Sequence, residues 1–501
     1  DGGELVLEGE VRRVVSLLPS VTETLFALGA GDVVVGVTHH DRSPAAVHDK
    51  AVVGGFAAPS LDAILALEPD LVIVSRLHDS LAARLRDARV PVAAMDDTDL
   101  AGFYARTRAL GALTGRRAAA RRLVRQTRER LERLREKVAR IPPGERLRAA
   151  RVMGLAGPTA PGDDSFQVEV LRAAGAIVPR WGANGPGVAP GAAAWREFDP
   201  EVLYVCGDRD GWLERLRADE RFGESTAVRA GRVHAFPCAL TCRASVHTAT
   251  FAEWLAATIY PERLTAPATR LAPDRVLDRA ALEIPLDAVR RAGLVRLAVD
   301  DFEHGALVLE LVRPMAALSS LSGPRDAVRA VVNHGLHPAA WRALHADGPE
   351  ASAGRVCRAL GLDRDGAAVL HTGARLENLA IAERRHGELA AVALVTAGVR
   401  SNAMRAGLDE GCWVEPGTIN VIVITSRRLA PRAMARALIT VTEAKTAALQ
   451  ALDVRSAYTP LAQATGTGTD NVVVLEGAGP RATSAGGHSK LGELIARAVA
   501  A

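Results

Sequence analysis

The run Thr465-Gly466-Thr467-Gly468-Thr469-Asp470-Asn471 packs two glycines, three threonines, an aspartate and an asparagine directly before a β-rich segment. Glycine lets a backbone approach a ligand closely, and hydroxyls beside backbone amides can hold an anion or a tetrahedral oxyanion; an ordinary turn has the same composition. Upstream, the helical segment Pro431 to Leu452 carries Met434, Leu438, Val441, Ala448 and Leu452 as one apolar stripe with Lys445 at its centre. A lysine facing a core must be paired, neutral, or long enough to snorkel to water past Thr442, and Glu443 points to the opposite face. Downstream, His488 follows two glycines and, with Ser489 and Lys490, opens a last helix from Lys490 to Val499. A positive helix end favours neutral imidazole, which suits a general base; a plain capping loop is the other reading. In the first half, His39 and His40 sit in a loop after a predicted strand, either as surface residues or as ligands. Cys238 and Cys242 fit a local disulfide or a buried pair better than a metal site, because no second ligand pair accompanies them.

The elements that position these residues follow from periodicity. In the first 100 residues, strands are predicted at Val14 to Leu18, Val33 to Val37, Leu71 to Ser75 and Val90 to Ala94. Helices lie between them at Pro19 to Gly29 and Ser60 to Leu67. That alternation implies an α/β lobe with a mostly parallel sheet. One long helical run spans Leu100 to Arg140. A second α/β lobe follows, with strands at Ala149 to Leu155, Val202 to Cys206 and Val233 to Phe236, and helices at Asp164 to Ala174, Trp212 to Arg217 and up to Trp254. The expected domains are a two-lobe unit over 11–262 (lobes 11–100 and 145–262, linking helix 101–141), a Pro/Ala/Arg-rich linker over 263–287, and a third domain, α+β or α/β, over 288–501. In that last domain, strands are predicted at Leu307 to Val312, Ala391 to Thr396, Asn420 to Thr425 and Asn471 to Glu476.

Composition narrows the function classes. The 501 residues hold 62 Lys plus Arg against 58 Asp plus Glu, a net charge of +4, which gives no electrostatic reason to expect nucleic acid. Between Arg116 and Arg140 ten Arg and one Lys face three Glu, so this stretch carries +8 and the rest −4. It has no aromatic residue for base stacking and reads as a solvated helix docked through Leu123, Leu131, Leu134 and Val138. No apolar run reaches the roughly 18 to 20 residues of a membrane span. Five cysteines at irregular spacings make no disulfide framework. A chain opening at Asp1 rather than Met fits removal of an upstream segment.

Arg13-Val14-Val15-Ser16-Leu17-Leu18-Pro19-Ser20-Val21-Thr22-Glu23, then Gly36-Val37-Thr38, then Leu61 to Ser75 with Glu68-Pro69-Asp70-Leu71-Val72-Ile73, resembles the helix-linked substrate-binding proteins of cobalamin, haem and siderophore importers. The resemblance covers residues 11 to about 260. It implies two lobes, a rigid linking helix and a ligand in the cleft between them. It makes Phe56 the aromatic platform for a corrinoid and Asp62 the acidic contact to an ABC permease. In the second lobe the matching position is Ala193, a departure that weakens the case for docking but not for ligand capture. A corrinoid lacking its nucleotide loop has no lower nitrogen ligand of its own, so His40, or less favourably His39, is a candidate ligand to its cobalt.

Five blocks in the last 200 residues resemble the adenosylcobinamide amidohydrolase family. They are Thr396-Ala397-Gly398-Val399-Arg400-Ser401-Asn402-Ala403, Pro416-Gly417-Thr418-Ile419-Asn420, Thr442-Glu443-Ala444-Lys445-Thr446, Ala464 to Asn471, and Gly486-Gly487-His488-Ser489-Lys490-Leu491-Gly492-Glu493. The resemblance implies cleavage of the amide joining a corrin propionate to aminopropanol, giving adenosylcobyric acid in corrinoid salvage. Amide hydrolysis needs an activated nucleophile or water, a stabilised oxyanion and a protonated leaving amine. The expected roles are His488 or Asp470 as base, Thr465, Thr467 or Ser489 as nucleophile on a covalent route, and Lys445 or backbone amides for the oxyanion. Asn402 and Asn420, with Thr418 and Lys490, would bind substrate. No cofactor is expected beyond the corrinoid itself, and no protein metal: HExxH is missing, and His334 and His337 with Asn333 are only a loose set. The two resemblances pull localisation apart, toward export for the binding half and toward the cytoplasm for an enzyme of adenosylated corrinoids; the start at Asp1 tips it to the periplasm or another extracytoplasmic site.

Overall fold

The computed structural model describes residues 10–96, 99–154, 157–410 and 417–501. Leu155 and Pro416, named above, lie outside the described residues. The chain divides into two compact units between Thr269 and Arg270.

In the first unit, β1 (Val14–Ser16), β2 (Val34–Val37), β3 (Ala51–Val52), β4 (Leu71–Val74) and β5 (Val92–Ala94) form a parallel sheet in the order β3-β2-β1-β4-β5. β1 and β4 are buried along their whole length, as central strands covered on both faces must be. Pro19 starts the helix Pro19–Ala27, and the Ser60 hydroxyl caps the helix Leu61–Leu65. Parallel strands β6 (Ala149–Arg151), β7 (Val202–Cys206) and β8 (Val233–Phe236) make the second lobe's sheet, around Trp195, Leu203, Trp212 and Phe222.

The long helical run is corrected to two helices. Leu100–Leu113 stops at Thr114, Gly115 takes a φ of 69°, and Arg117–Ala139 follows. The two pack on each other so closely that a Cβ on Gly111 would meet Ala120 Cβ at 2.4 Å. Arg117–Ala139 buries Ala120, Val124, Thr127, Leu131, Leu134 and Val138, one face at helical spacing. Ala120 belongs to the first lobe's core, while Arg130 bonds Glu253 and Thr250 of the second-lobe helix Thr248–Ile259. The linking helix is thus docked by one face, as its leucines predict.

In the second unit the expected linker is shorter than read: Arg275–Leu282 is a strand, β9. It pairs antiparallel with β10 (Val289–Val299), which pairs with β11 (Phe302–Ser319). β12 (Gly323–Gly335), β13 (Ala367–Thr372), β14 (Ala380–His386), β15 (Leu389–Ala397), β16 (Ile419–Thr425) and β18 (Asn471–Leu475) complete a mixed sheet in the order β13-β12-β11-β18-β16-β15-β14. Short β17 (Arg427–Leu429) and β19 (Gly479–Ala482) pair with each other. The sheet curls on itself, so Leu307, Val331, Leu370, Leu394, Ile422 and Val473 share one inner core. Alternate residues point outward: Val421, Val423, Val472 and Val474 pack under helices Pro431–Ala451 and Lys490–Ala500. Helix Trp341–Leu360, kinked where Gly348 has a φ of 82° before Pro349, covers the other outer face with Val356 and Cys357. The third domain is therefore α+β. No helix among the described residues is long and apolar enough to cross a membrane.

Candidate functional site

Helix Pro431–Ala451 lies on β18 through Met434, Ala437, Val441 and Ala444. That packing brings Lys445, next along the helix, to the turn that leads into the strand. Lys445 Nζ forms an ion pair with Asp470 Oδ2, and the two side chains are 11% and 13% exposed. Asp470 Oδ1 also accepts the Thr467 hydroxyl and the Ile419 N–H at 3.1 Å, and Thr467 N–H lies 3.2 Å from both carboxylate oxygens. These four donors match the roughly four lone-pair directions of a carboxylate, so Asp470 has no direction left for a free water. The proton it is placed to take is that of Thr467. Gly466 is required here: a Cβ would sit 2.3 Å from Asp470 Oδ2 and 2.8 Å from Lys445 Nζ.

β16 connects this group to a buried polar network. Ile419 holds Asp470, and the next residue, Asn420, donates to Asn333 Oδ1 at 2.8 Å and to His371 O at 2.9 Å. Asn333 donates to Thr396 Oγ1 at 2.9 Å. His371 Nε2 faces Pro349 O at 3.1 Å, which puts its proton on Nε2 and leaves Nδ1 to accept from His334 Nδ1 at 3.0 Å. His334 Nε2 in turn meets His304 Nδ1 at 2.9 Å, a link that competes with His337 N–H at 3.2 Å. Burial, reinforced by the neighbouring His304 and His371, holds His334 well below the usual imidazole range; burial lowers His371 to about 4. Both are neutral at pH 7. Asn402, whose amide nitrogen bonds Gly417 O, is 1% exposed, and Asn420 is fully buried. The Oδ1 atoms of both lack a partner among the described residues.

The other expected site residues separate from this group. Thr465 Oγ1 accepts Ala406 N–H at 2.9 Å, and Thr418 donates to Thr469 O, so both hydroxyls tie loops together. Ser489 is the N-cap of helix Lys490–Ala500, accepting Gly492 N–H at 3.1 Å and donating to Gly486 O at 2.8 Å. Lys490 pairs with Glu493 at 2.6 Å on the surface. His488 is exposed, and no hydrogen bond links it to the Asp470 group among the described residues. Leu452, expected in the stripe beside Lys445, is 76% exposed. Sequence reasoning missed His304 and His371. The available signal was a lone histidine inside the apolar strand Ala367–Thr372, where a polar side chain must find a buried partner.

In the first lobe, Phe56 is clamped between two histidines. Its N–H donates to His40 Nδ1 at 3.1 Å, and its carbonyl accepts from His78 Nε2 at 2.6 Å. Both rings meet the Phe56 ring edge to face, at 6.3 and 5.3 Å. His78, absent from the sequence reading, is fixed as the donor because its Nδ1 accepts Ser75 N–H at 3.1 Å. By the same logic the neutral His40 ring carries its proton on Nε2, and metal ligation there would require the other tautomer and loss of the Phe56 bond. His39 is exposed, with its N–H on Gly54 O at 2.9 Å. Asp62 and Ala193 are exposed on helices Leu61–Leu65 and Ala192–Phe198. Cys238 and Cys242 are corrected from a disulfide or buried pair: both are free and exposed, and they meet a third thiol, Cys206.

Comparison with known proteins matches residues 14–238 to the periplasmic binding protein family and residues 292–501 to the adenosylcobinamide amidohydrolase family. An uncharacterized protein of Methanocaldococcus jannaschii is 39% identical over 215 residues, which is 39% of this chain and 83% of that protein. A cobalamin-binding protein of Halobacterium salinarum is 27% identical over 45% of this chain and 60% of its own length. An uncharacterized ABC transporter substrate-binding lipoprotein of Bacillus subtilis is 27% identical over 52% of this chain and 83% of its own length. Among solved structures, the periplasmic vitamin B12-binding protein of Vibrio cholerae aligns with a TM-score of 0.43 and 20% identity over 50% of this chain and 96% of that one.

Proposed function

Because the chain belongs to the adenosylcobinamide amidohydrolase family over residues 292–501 and to the periplasmic binding proteins over residues 14–238, we propose that it captures a cobinamide-type corrinoid and hydrolyses its aminopropanol amide. The observation that carries this reading is the Thr467–Asp470–Lys445 group in a glycine-rich turn. Thr467 Oγ1 attacks the amide carbonyl while its proton passes to Asp470; Lys445 stabilises the oxyanion and protonates the departing amine. Water then cleaves the ester, giving a proton to the Lys445 amine left neutral by the first step, while Asp470 returns its proton to Thr467 Oγ1; the corrin carboxyl group is released and all three residues are restored. The acceptors Asn402 Oδ1 and Asn420 Oδ1 suit amide N–H groups, in which a corrinoid's periphery is rich.

The binding half takes the corrinoid on Phe56, whose backbone His40 and His78 hold on both sides. Asp62 is free to face an ABC permease, with Ala193 offering no second acidic contact. The similarity to binding proteins favours an extracytoplasmic location, which fractionation of cells producing the full chain tests. For the chemistry, the full chain is incubated with adenosylcobinamide, and adenosylcobyric acid and free aminopropanol are quantified. Turnover retained in Thr467→Ser and lost in Thr467→Ala supports the covalent route, and equal turnover in both removes Thr467 as nucleophile.

A further inference from the structure

Three thiols stand apart from both groups described above. Cys206 closes β7, while Cys238 opens the helix Cys238–Thr241 and Cys242 follows it, one turn on and on the same side. Their Sγ atoms all lie within 4.8 Å of one another, and Cys242 Sγ is 3.7 Å from Cys206 Sγ. Cys238 and Cys242 are exposed and Cys206 is half-buried, so an ion can reach all three. Arg151, buried at the end of β6, directs its guanidinium at Cys242 Sγ from 3.3 Å.

We propose that Cys206, Cys238 and Cys242 form a tri-thiolate site for one soft divalent cation of the zinc and cadmium class. A tetrahedral ion about 2.3 Å from each sulfur sets its sulfurs about 3.8 Å apart, so the observed Cys206–Cys242 edge needs little adjustment. Thiolate donors select soft ions over magnesium or calcium. Charge selects the valence: a divalent ion, three thiolates and the Arg151 guanidinium together are neutral, whereas a monovalent ion leaves one negative charge. Three protein sulfurs leave the fourth tetrahedral position open. The site borders the meeting of the two lobes: Arg243, next in sequence to Cys242, pairs with first-lobe Glu23 at 3.4 Å, and Arg106 of helix Leu100–Leu113 donates to Ala244 O at 3.1 Å.

The test is titration of the reduced, metal-free full chain with cadmium under anaerobic conditions, following the ultraviolet thiolate-to-cadmium charge-transfer band, with zinc as competitor. The expected result is saturation at one equivalent, displacement by zinc, and affinity weakened by about tenfold or more in each of Cys206→Ser, Cys238→Ser and Cys242→Ser. Cys357→Ala, in the other unit, is expected to bind as the parent does. Circular dichroism confirms that each variant is folded. No band, or a band unchanged in the Cys206→Ser/Cys242→Ser double variant, overturns the site. So does a Cys206–Cys242 disulfide whose reduction yields no metal uptake.

Discussion

Lys445 and Asp470 lie 25 residues apart in the chain, yet their side chains close into one ion pair, nearly nine-tenths buried, at the joint between a helix and a glycine-rich turn. Removing either partner leaves the other charge poorly compensated, at a cost of roughly 3 to 5 kcal/mol where the pair is fully desolvated and less here. Lys445→Met and Asp470→Asn are therefore each expected to lower the melting temperature of the C-terminal unit, and the double variant to recover part of that loss. Activity behaves differently: each single variant and the double variant are expected to lose about 10²- to 10³-fold in kcat. Thermal unfolding and steady-state turnover of the same four proteins check both outcomes.

Ser489 caps a helix, and its hydroxyl is engaged at both ends. Ser489→Ala is expected to cost about 1 kcal/mol of stability and to leave kcat unchanged, as is His488→Ala. A large fall in kcat at constant stability in either variant would return that residue to the reaction.

The neutral imidazoles give the C-terminal unit an acid sensitivity. The folded pKa of His371 is lowered by burial to about 4 against an ordinary 6.5, so the unfolded chain binds the proton more readily. Its contribution is fully present above pH 6.5 and is lost as the pH falls toward 4; His334, shifted in the same direction, adds to the slope. Denaturant midpoints measured from pH 7 to pH 4 are expected to fall, with a shallower slope in His371→Asn.

Phe56 owes its position to backbone bonds from His40 and His78. Phe56→Ala is expected to weaken cobinamide binding by about tenfold. His78→Ala is expected to weaken it as well, with the ring present but its carbonyl unanchored. Spectroscopic titration of the full chain with cobinamide measures both; equal affinity in Phe56→Ala places the ligand elsewhere.

Much of this arrangement is legible in the residues, because local physics decides it. Apolar runs such as Leu71–Val74 declare buried parallel strands, and Lys445 stands out as a cation on an apolar stripe. What escapes depends on tertiary register. Nothing within helix Pro431–Ala451 identifies Asp470 as the partner of Lys445. Cys206 joins Cys238 and Cys242 only because β7 and β8 are parallel neighbours. Arg275–Leu282 reads as linker because a mostly exposed edge strand has no apolar alternation to show. The break at Thr114–Gly115 is masked by good helix formers on both sides, and it takes the close contact of Gly111 with Ala120 to reveal it.

Release of aminopropanol from adenosylcobinamide by the full chain, set beside the folded Lys445→Met variant, tests the central claim most directly. Stoichiometric aminopropanol and adenosylcobyric acid are expected from the parent, with a loss of at least about 10²-fold in the variant. Intact adenosylcobinamide after prolonged incubation with a folded, corrinoid-binding parent, or equal release by the two proteins, would contradict it.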